Sequence, residues 1–185
     1  MKNKAYLFII ALIISSCNGG GSGDEQATDS TAAVQTVQPP EGFMPLDLSQ
    51  YGFPITIFVP QSDTLQGVPE PSVEETGGGA ITVKSGKYFQ LKIADGSGDL
   101  AARKNEFAVD DVYKYEYVID EPATLLYKRQ IASTPMEPEF HFIYVLKTGN
   151  RTIEVENVKD GVDEFPQRAA ERMLDVIKAT SVKSS

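Results

Sequence analysis

Phe140, Phe142, Tyr144 and Leu146 alternate along one side of a continuous run, and Ile143 and Val145 make the other side apolar as well. A β-strand sends successive side chains to opposite faces, so a strand of this composition has no face it can leave in water. It belongs in the interior of a sheet covered on both sides. The rest of the chain has to supply the neighbouring strands and the covering layers.

Candidate neighbours follow the same period of two. Ile55, Ile57 and Val59 form one side of a short strand between Pro54 and Pro60. Residues 61–79 are rich in Pro, Ser, Gly and Glu and read as a loop, and Ile81–Lys84 with Lys87–Ile93 then reads as a hairpin turning at Ser85-Gly86. Tyr113, Tyr115, Tyr117 and Ile119 share a face of a strand that stops at Glu121-Pro122, Leu125 to Ile131 follows, and Gly149-Asn150 turns the central run back to Ile153 and Val155. Two helices are expected. The first, about 99–108, is capped by Ser97 or Asp99; the second, about 164–180, places Ala169, Ala170, Met173, Leu174 and Ile177 on one face. For the second, Asp163 or Glu164 is the expected cap, with Pro166 in the first turn. Tight connections between successive strands predict antiparallel pairing, because parallel pairing needs long crossovers. The expected class is α+β, one domain over residues 43–183. The order of elements resembles the Mog1/PsbP-like α/β/α sandwich, with Phe53 to Pro60 similar to that group's opening strand and Met173 to Thr180 to its closing helix. That resemblance implies a binding or accessory protein.

The first residues address location. Lys2 and Lys4, an apolar run from Ala5 to Ile14, and Ser15-Ser16 before Cys17 have the layout of a signal peptide over residues 1–16. The apolar run is about half the roughly twenty residues a spanning helix needs. Ile14-Ser15-Ser16-Cys17 resembles the lipobox of bacterial lipoproteins, which implies cleavage before Cys17 and acylation of its thiol. Asn18 after the cysteine implies outer-membrane sorting by the same resemblance. Residues 17–42 read as a lipidated anchor and tether of Gly, Ser, Thr, Ala and acidic residues. Cys17 is the chain's single cysteine, so the domain has no internal disulfide and depends on its core.

The chain carries 17 Lys+Arg against 26 Asp+Glu, and loss of Lys2 and Lys4 with the leader takes the formal charge from −9 to −11. That balance disfavours nucleic acid and anionic headgroups. His141 is the lone histidine, which excludes a zinc site built from several His ligands, and in its alternating run it reads as a strand-end or rim side chain bonded to a neighbour. Asp95, Ser97, Asp99 and Glu106 stand at positions one, three, five and twelve of a calcium-loop spacing, but Leu100 occupies the glycine position and Arg103 a ligand position. A helix-capping turn explains the same residues. Gly19–Gly21 and Gly77–Gly79 lack the strand-to-helix setting of a phosphate loop. The tyrosines of 113–117 read as half-buried packing under a helix. No cofactor is expected. The reading is a lipid-anchored envelope protein whose domain acts through a protein partner. The rivals are an enzyme using groups such as Asp110, Tyr127 or His141, and a small-molecule or metal carrier.

Overall fold

The computed structural model describes residues 38–63, 67–134, 136–159 and 165–182. Residues 1–37, on which the expected leader, the expected lipidation site Cys17 and most of the expected tether fall, lie outside the described residues. Strands β1 (Phe43–Asp47) and β2 (Ile55–Pro60) are joined through a short 3-10 turn at Ser49–Tyr51. β3 (Ser72–Thr76), β4 (Ala80–Lys84) and β5 (Gln90–Asp95) lead into helix α1 (Leu100–Ala108). β6 (Tyr113–Glu121), β7 (Thr124–Ile131), β8 (Glu139–Thr148) and β9 (Arg151–Asn157) follow, then α2 (Gln167–Lys178) and β10 (Ser181–Val182). The protein is an α+β domain in which every named strand pairing is antiparallel.

β3 to β9 make one seven-stranded sheet in the order β3-β4-β5-β9-β8-β7-β6. β8 lies between β9 and β7, and its two apolar sides face two different layers. Leu126, Phe142 and Leu146 join a core with Ile81, Leu91, Ile93 and Val155 of the sheet and with Met173, Leu174 and Ile177 of α2. The small sheet β1-β2-β10 contributes Ile55, Ile57 and Val59 to that core. On the other face, Leu125, Tyr127, Ile143 and Val145 pack with Leu100 and Phe107 of α1. Helices therefore cover opposite faces of the large sheet.

Five details differ from the pattern reading, each for a local reason. A bulge between Tyr117 and Ile119 breaks the shared face expected of β6, so that Ile119 packs with the α2-side core and Tyr115 with the α1 side. Residues 61–79 contain β3, whose sequence Ser-Val-Glu-Glu-Thr has one large apolar residue. It is an edge strand held by its pairing with β4, not by its own periodicity. β1 was hidden by Pro45, which is tolerated because β1 is the edge of the small sheet. The β4–β5 turn is wider than Ser85-Gly86: the Ser85 N–H donates to the Phe89 carbonyl at 2.8 Å, and β5 starts at Gln90. Lys87 and Tyr88 are thereby left on an exposed turn. Finally, α2 begins at Gln167 with Pro166 as its N-cap, φ −66° and ψ 152°. Phe165 precedes a proline and is disfavoured as helix, so the helix stops short of 164; Asp163 and Glu164 lie outside the described residues. α1 needed no correction: Asp99 caps it, its Oδ1 accepting from the Ala102 N–H at 2.9 Å.

The turn before α1 is built on a close backbone approach. Gly98 has φ +67°, and its N–H donates to Glu154 Oε1 at 2.7 Å. A Cβ there would stand 2.8 Å from Thr152 Cγ2 and 2.9 Å from Val145 Cγ1. Gly98→Ala is expected to lower the unfolding free energy by about 2 kcal/mol through positive-φ strain and crowding. Phe142→Ala, which empties a core site 1% exposed, is expected to cost about 4 kcal/mol. Urea unfolding of the full chain checks both.

Candidate functional site

A cleft of about 950 Å³ opens where the ends of β1 and β2, the β4–β5 turn and the first turn of α2 meet. The local sequence explains how these segments come together. The Gln61 N–H donates to the Gly42 carbonyl at 2.9 Å, closing the β1–β2 end, and Ser85 Oγ donates to the Pro60 carbonyl at 3.2 Å, tying the β4–β5 turn to it. Asp63 and Val68 exchange backbone hydrogen bonds at 3.0 and 2.8 Å. Phe43, Phe89 and Met173 line the cleft and are buried in the core beneath it. Phe43 and Phe89 meet edge to face, with ring centroids 6.4 Å apart. The rim carries Tyr88, 48% exposed, together with Lys87, Arg168 and Arg172. Arg172 rests over the Phe43 ring at 5.1 Å. The cleft is thus apolar below, aromatic and cationic above, and open to solvent.

The residues singled out for chemistry lie elsewhere. Tyr127 and His141 are brought together, cross-strand partners of β7 and β8 with rings 5.8 Å apart. His141 is not at a rim; it is 6% exposed. Its Nε2 lies 3.3 Å from Glu139 Oε2, the neighbour bond expected of it. Burial, with Arg129 nearby, lowers the His141 pKa below the ordinary 6.5 against the pull of Glu139. Burial alone would raise the Glu139 carboxyl, but hydrogen bonds from Lys159, Arg129 and His141 outweigh it and hold the pKa at about 2. Lys159 Nζ is 3.0 Å from Oε1, and Arg129 Nη2 is 2.8 Å from Oε2. Tyr127, buried on the α1 face, is pushed up to about 12 by desolvation first and Glu156 second.

Asp110 does not join Tyr127 and His141. It accepts from the Val112 and Tyr113 N–H groups at 2.8 and 3.1 Å and from the Tyr115 hydroxyl at 2.6 Å, and the Tyr115 bond is the main cause of its lowered pKa. Tyr115 stacks on Phe107 of α1, with centroids 4.3 Å apart, the half-buried packing expected of the tyrosine strand, whereas Tyr117 on the same strand is exposed. This network is satisfied within itself, and neither of the two described cavities is lined by Asp110, Tyr127 or His141.

The calcium-spaced residues are spent separately. Asp95 takes Arg151 in a two-bond pair at 3.0 and 2.9 Å, Ser97 Oγ accepts from the Asp99 N–H at 3.1 Å, Asp99 caps α1, and Glu106 is 3.5 Å from Arg103. Among the described residues no group of three or more His, Cys, Asp and Glu side chains is gathered as a metal would need. Nor is any helix among them long and apolar enough to cross a membrane.

The cleft residues carried no motif. Their one signal in the sequence is the pair Arg168 and Arg172 near the start of an amphipathic helix, which reads as an ordinary solvated face. Comparison of the chain with protein-family models, with curated proteins and with solved structures finds no match.

The Glu139 cluster gives a pH signature. A carboxyl held down to about 2 in the fold and near 4.5 when unfolded favours the folded state above 4.5, and that advantage is lost as pH falls toward 2. A histidine lowered below 6.5 leaves the unfolded chain binding more protons as pH falls through 6.5, so stability declines there too. Glu139→Gln is expected to cost about 2 kcal/mol at pH 7 through loss of charge-assisted hydrogen bonds, with the difference from the parent vanishing between pH 4.5 and 2. Urea midpoints measured across that range check it.

Proposed function

We propose that this protein is a lipid-anchored component of the cell envelope, held through acyl chains on Cys17 at the outer membrane, whose domain binds a protein partner and performs no catalysis. The cleft carries this reading. It is open, floored by aromatic and aliphatic side chains, and rimmed by one tyrosine and two arginines, the residue types that most often anchor protein contacts. An apolar floor with convergent polar groups is also how binding sites are generally built. The groups with perturbed ionisation, Arg103, Asp110, Tyr115, Tyr117, Tyr127, Glu139 and His141, all lie outside this cleft.

The lipobox resemblance at Ile14 to Cys17 supports the anchor, and the polar composition of residues 17–42 supports a tether that gives the domain reach. Two or more acyl chains hold a protein stably where one would exchange. The order of elements supports the Mog1/PsbP-like reading of a binding or accessory role: an early strand, a hairpin, a short helix, a meander and a closing helix.

The test is metabolic acyl labelling with membrane fractionation, followed by affinity capture from detergent-solubilised native membranes using the full chain. The parent is expected to take up label, fractionate with the outer membrane and retain one specific protein. Cys17→Ala is expected to lose both label and membrane association. An unlabelled parent, or no specific protein retained, would count against the reading.

A further inference from the structure

Three of the five arginines are spent on carboxylates of the same domain: Arg103 on Glu156 at 2.6 Å, Arg129 on Glu139 at 2.8 Å and Arg151 on Asp95 at 2.9 Å. Arg168 and Arg172 have no carboxylate among the described residues, although acidic side chains outnumber basic ones 26 to 17 over the chain. Both are exposed and both line the cleft.

Arg172 has the Phe43 ring beneath it, but no described carboxylate answers either charge. Arg168 stands in the first turn of α2, where the helix dipole disfavours a cation and where no acidic residue of that turn offsets it. Arg172 follows four residues later, so two like charges face each other on one side of the helix, an arrangement that destabilises helices. Glu171, which could have relieved them, accepts instead from Gln167 Nε2 at 2.7 Å. Asp63, the carboxylate of the cleft lining, and Lys87 both have contacts of their own.

From this we infer that the cleft receives an acidic segment of the protein partner, with its carboxylates on Arg168 and Arg172 and an apolar side chain of the segment over Phe43, Phe89 and Met173. The planar donor fork of arginine matches carboxylates in two-bond geometry. A peptide segment fits better than a small anion because the trough is open and edged by the exposed Tyr88, whereas small ligands are usually mostly enclosed. This inference rests on the partner-binding reading above.

The experiment places the photo-crosslinker benzoylphenylalanine at position 88 of the full chain, irradiates native membranes and sequences the attached fragment. The expected adduct is a protein segment with at least two Asp or Glu residues flanking an apolar one. Arg168→Glu with Arg172→Glu should cut its yield at least tenfold, and changing the contacted carboxylates to lysine should restore it. Thermal melting of Arg168→Gln alone, which removes the like-charge pair and leaves Arg172 over Phe43, should show no loss; a lowered melting temperature would place Arg168 in the fold and overturn the inference. An adduct to a lipid, to a small anion or to a segment without acidic residues also overturns it, as does a yield unmoved by charge reversal. If a partner is retained by affinity capture but no adduct forms at position 88, the cleft assignment falls and the partner-binding reading stands. If neither is found, both fall.

Discussion

The structure depends on burying both sides of the β7–β8 pair. Leu125, Leu126, Phe142 and Ile143 are each 2% exposed or less, and they alternate between the two faces of the sheet. One covering layer would leave half of them in water, at about 25 cal/mol for each Å² of apolar surface. Chain order follows from that need. β5 ends on the far side of β9, α1 is laid across the second face, and the chain returns as the meander β6-β7-β8-β9 to close against β5. α2 and the small sheet then fill the first face. Asn157 completes the arrangement where β9 runs out. Its Oδ1 accepts from the Phe142 N–H at 2.6 Å and its Nδ2 donates to the Phe140 carbonyl at 3.0 Å, so the buried end of β8 keeps its hydrogen bonds.

The two faces carry charge differently. On the α1 side, ionisable groups lie within the sheet itself and must be paired to be tolerated. Glu139 is met by Arg129, Lys159 and His141, and Glu156 by Arg103. Such clusters shift ionisation and can be mistaken for catalytic machinery, but each acceptor here has its donor. Arg151 does a different job at the junction of the sheets. It pairs with Asp95 of β5, donates to the Gly52 carbonyl at 2.6 Å, and lies over the Phe53 ring at 5.5 Å, joining the β1–β2 connection to the large sheet.

Legibility in the sequence tracked how local each cause was. β8 and α2 could be read because their periodicity is written in side chains they own, and α1 because Asp99 is a cap four residues inside a recognisable turn. β3 could not, since its Ser-Val-Glu-Glu-Thr is made a strand by β4 alone. β1 was concealed by a proline whose tolerance depends on which edge it occupies. His141 was read correctly as bonded to a neighbour and incorrectly as peripheral, because burial at that end of β8 comes from Tyr127 across the strand pair, a contact set by register. The cleft was the least legible feature. Its parts, near residues 43, 60, 88 and 168 to 173, are far apart in sequence and are assembled only by the packing of α2 beside the small sheet.

The start of α2 differs from other charges set against a helix dipole in having no carboxylate partner among the described residues: in α1, Arg103 of the first turn and Glu106 of the last pair with each other, and Arg103 also pairs with Glu156. α1 has an acidic cap, and α2 has Lys178 in its last turn, near Glu121 at 3.4 Å, where dipole and partner both favour it. The same helix opens with Arg168 against the dipole and with Arg172 one turn on, a like charge facing it. A sequence under selection for stability alone would have little reason to retain that pair, since a glutamate at position 168 would suit the dipole and pair with Arg172. Departures from local consistency that nothing else in a fold compensates are where function is expected to have set the residue. In this domain that departure coincides with an open cleft whose floor is Phe43, Phe89 and Met173.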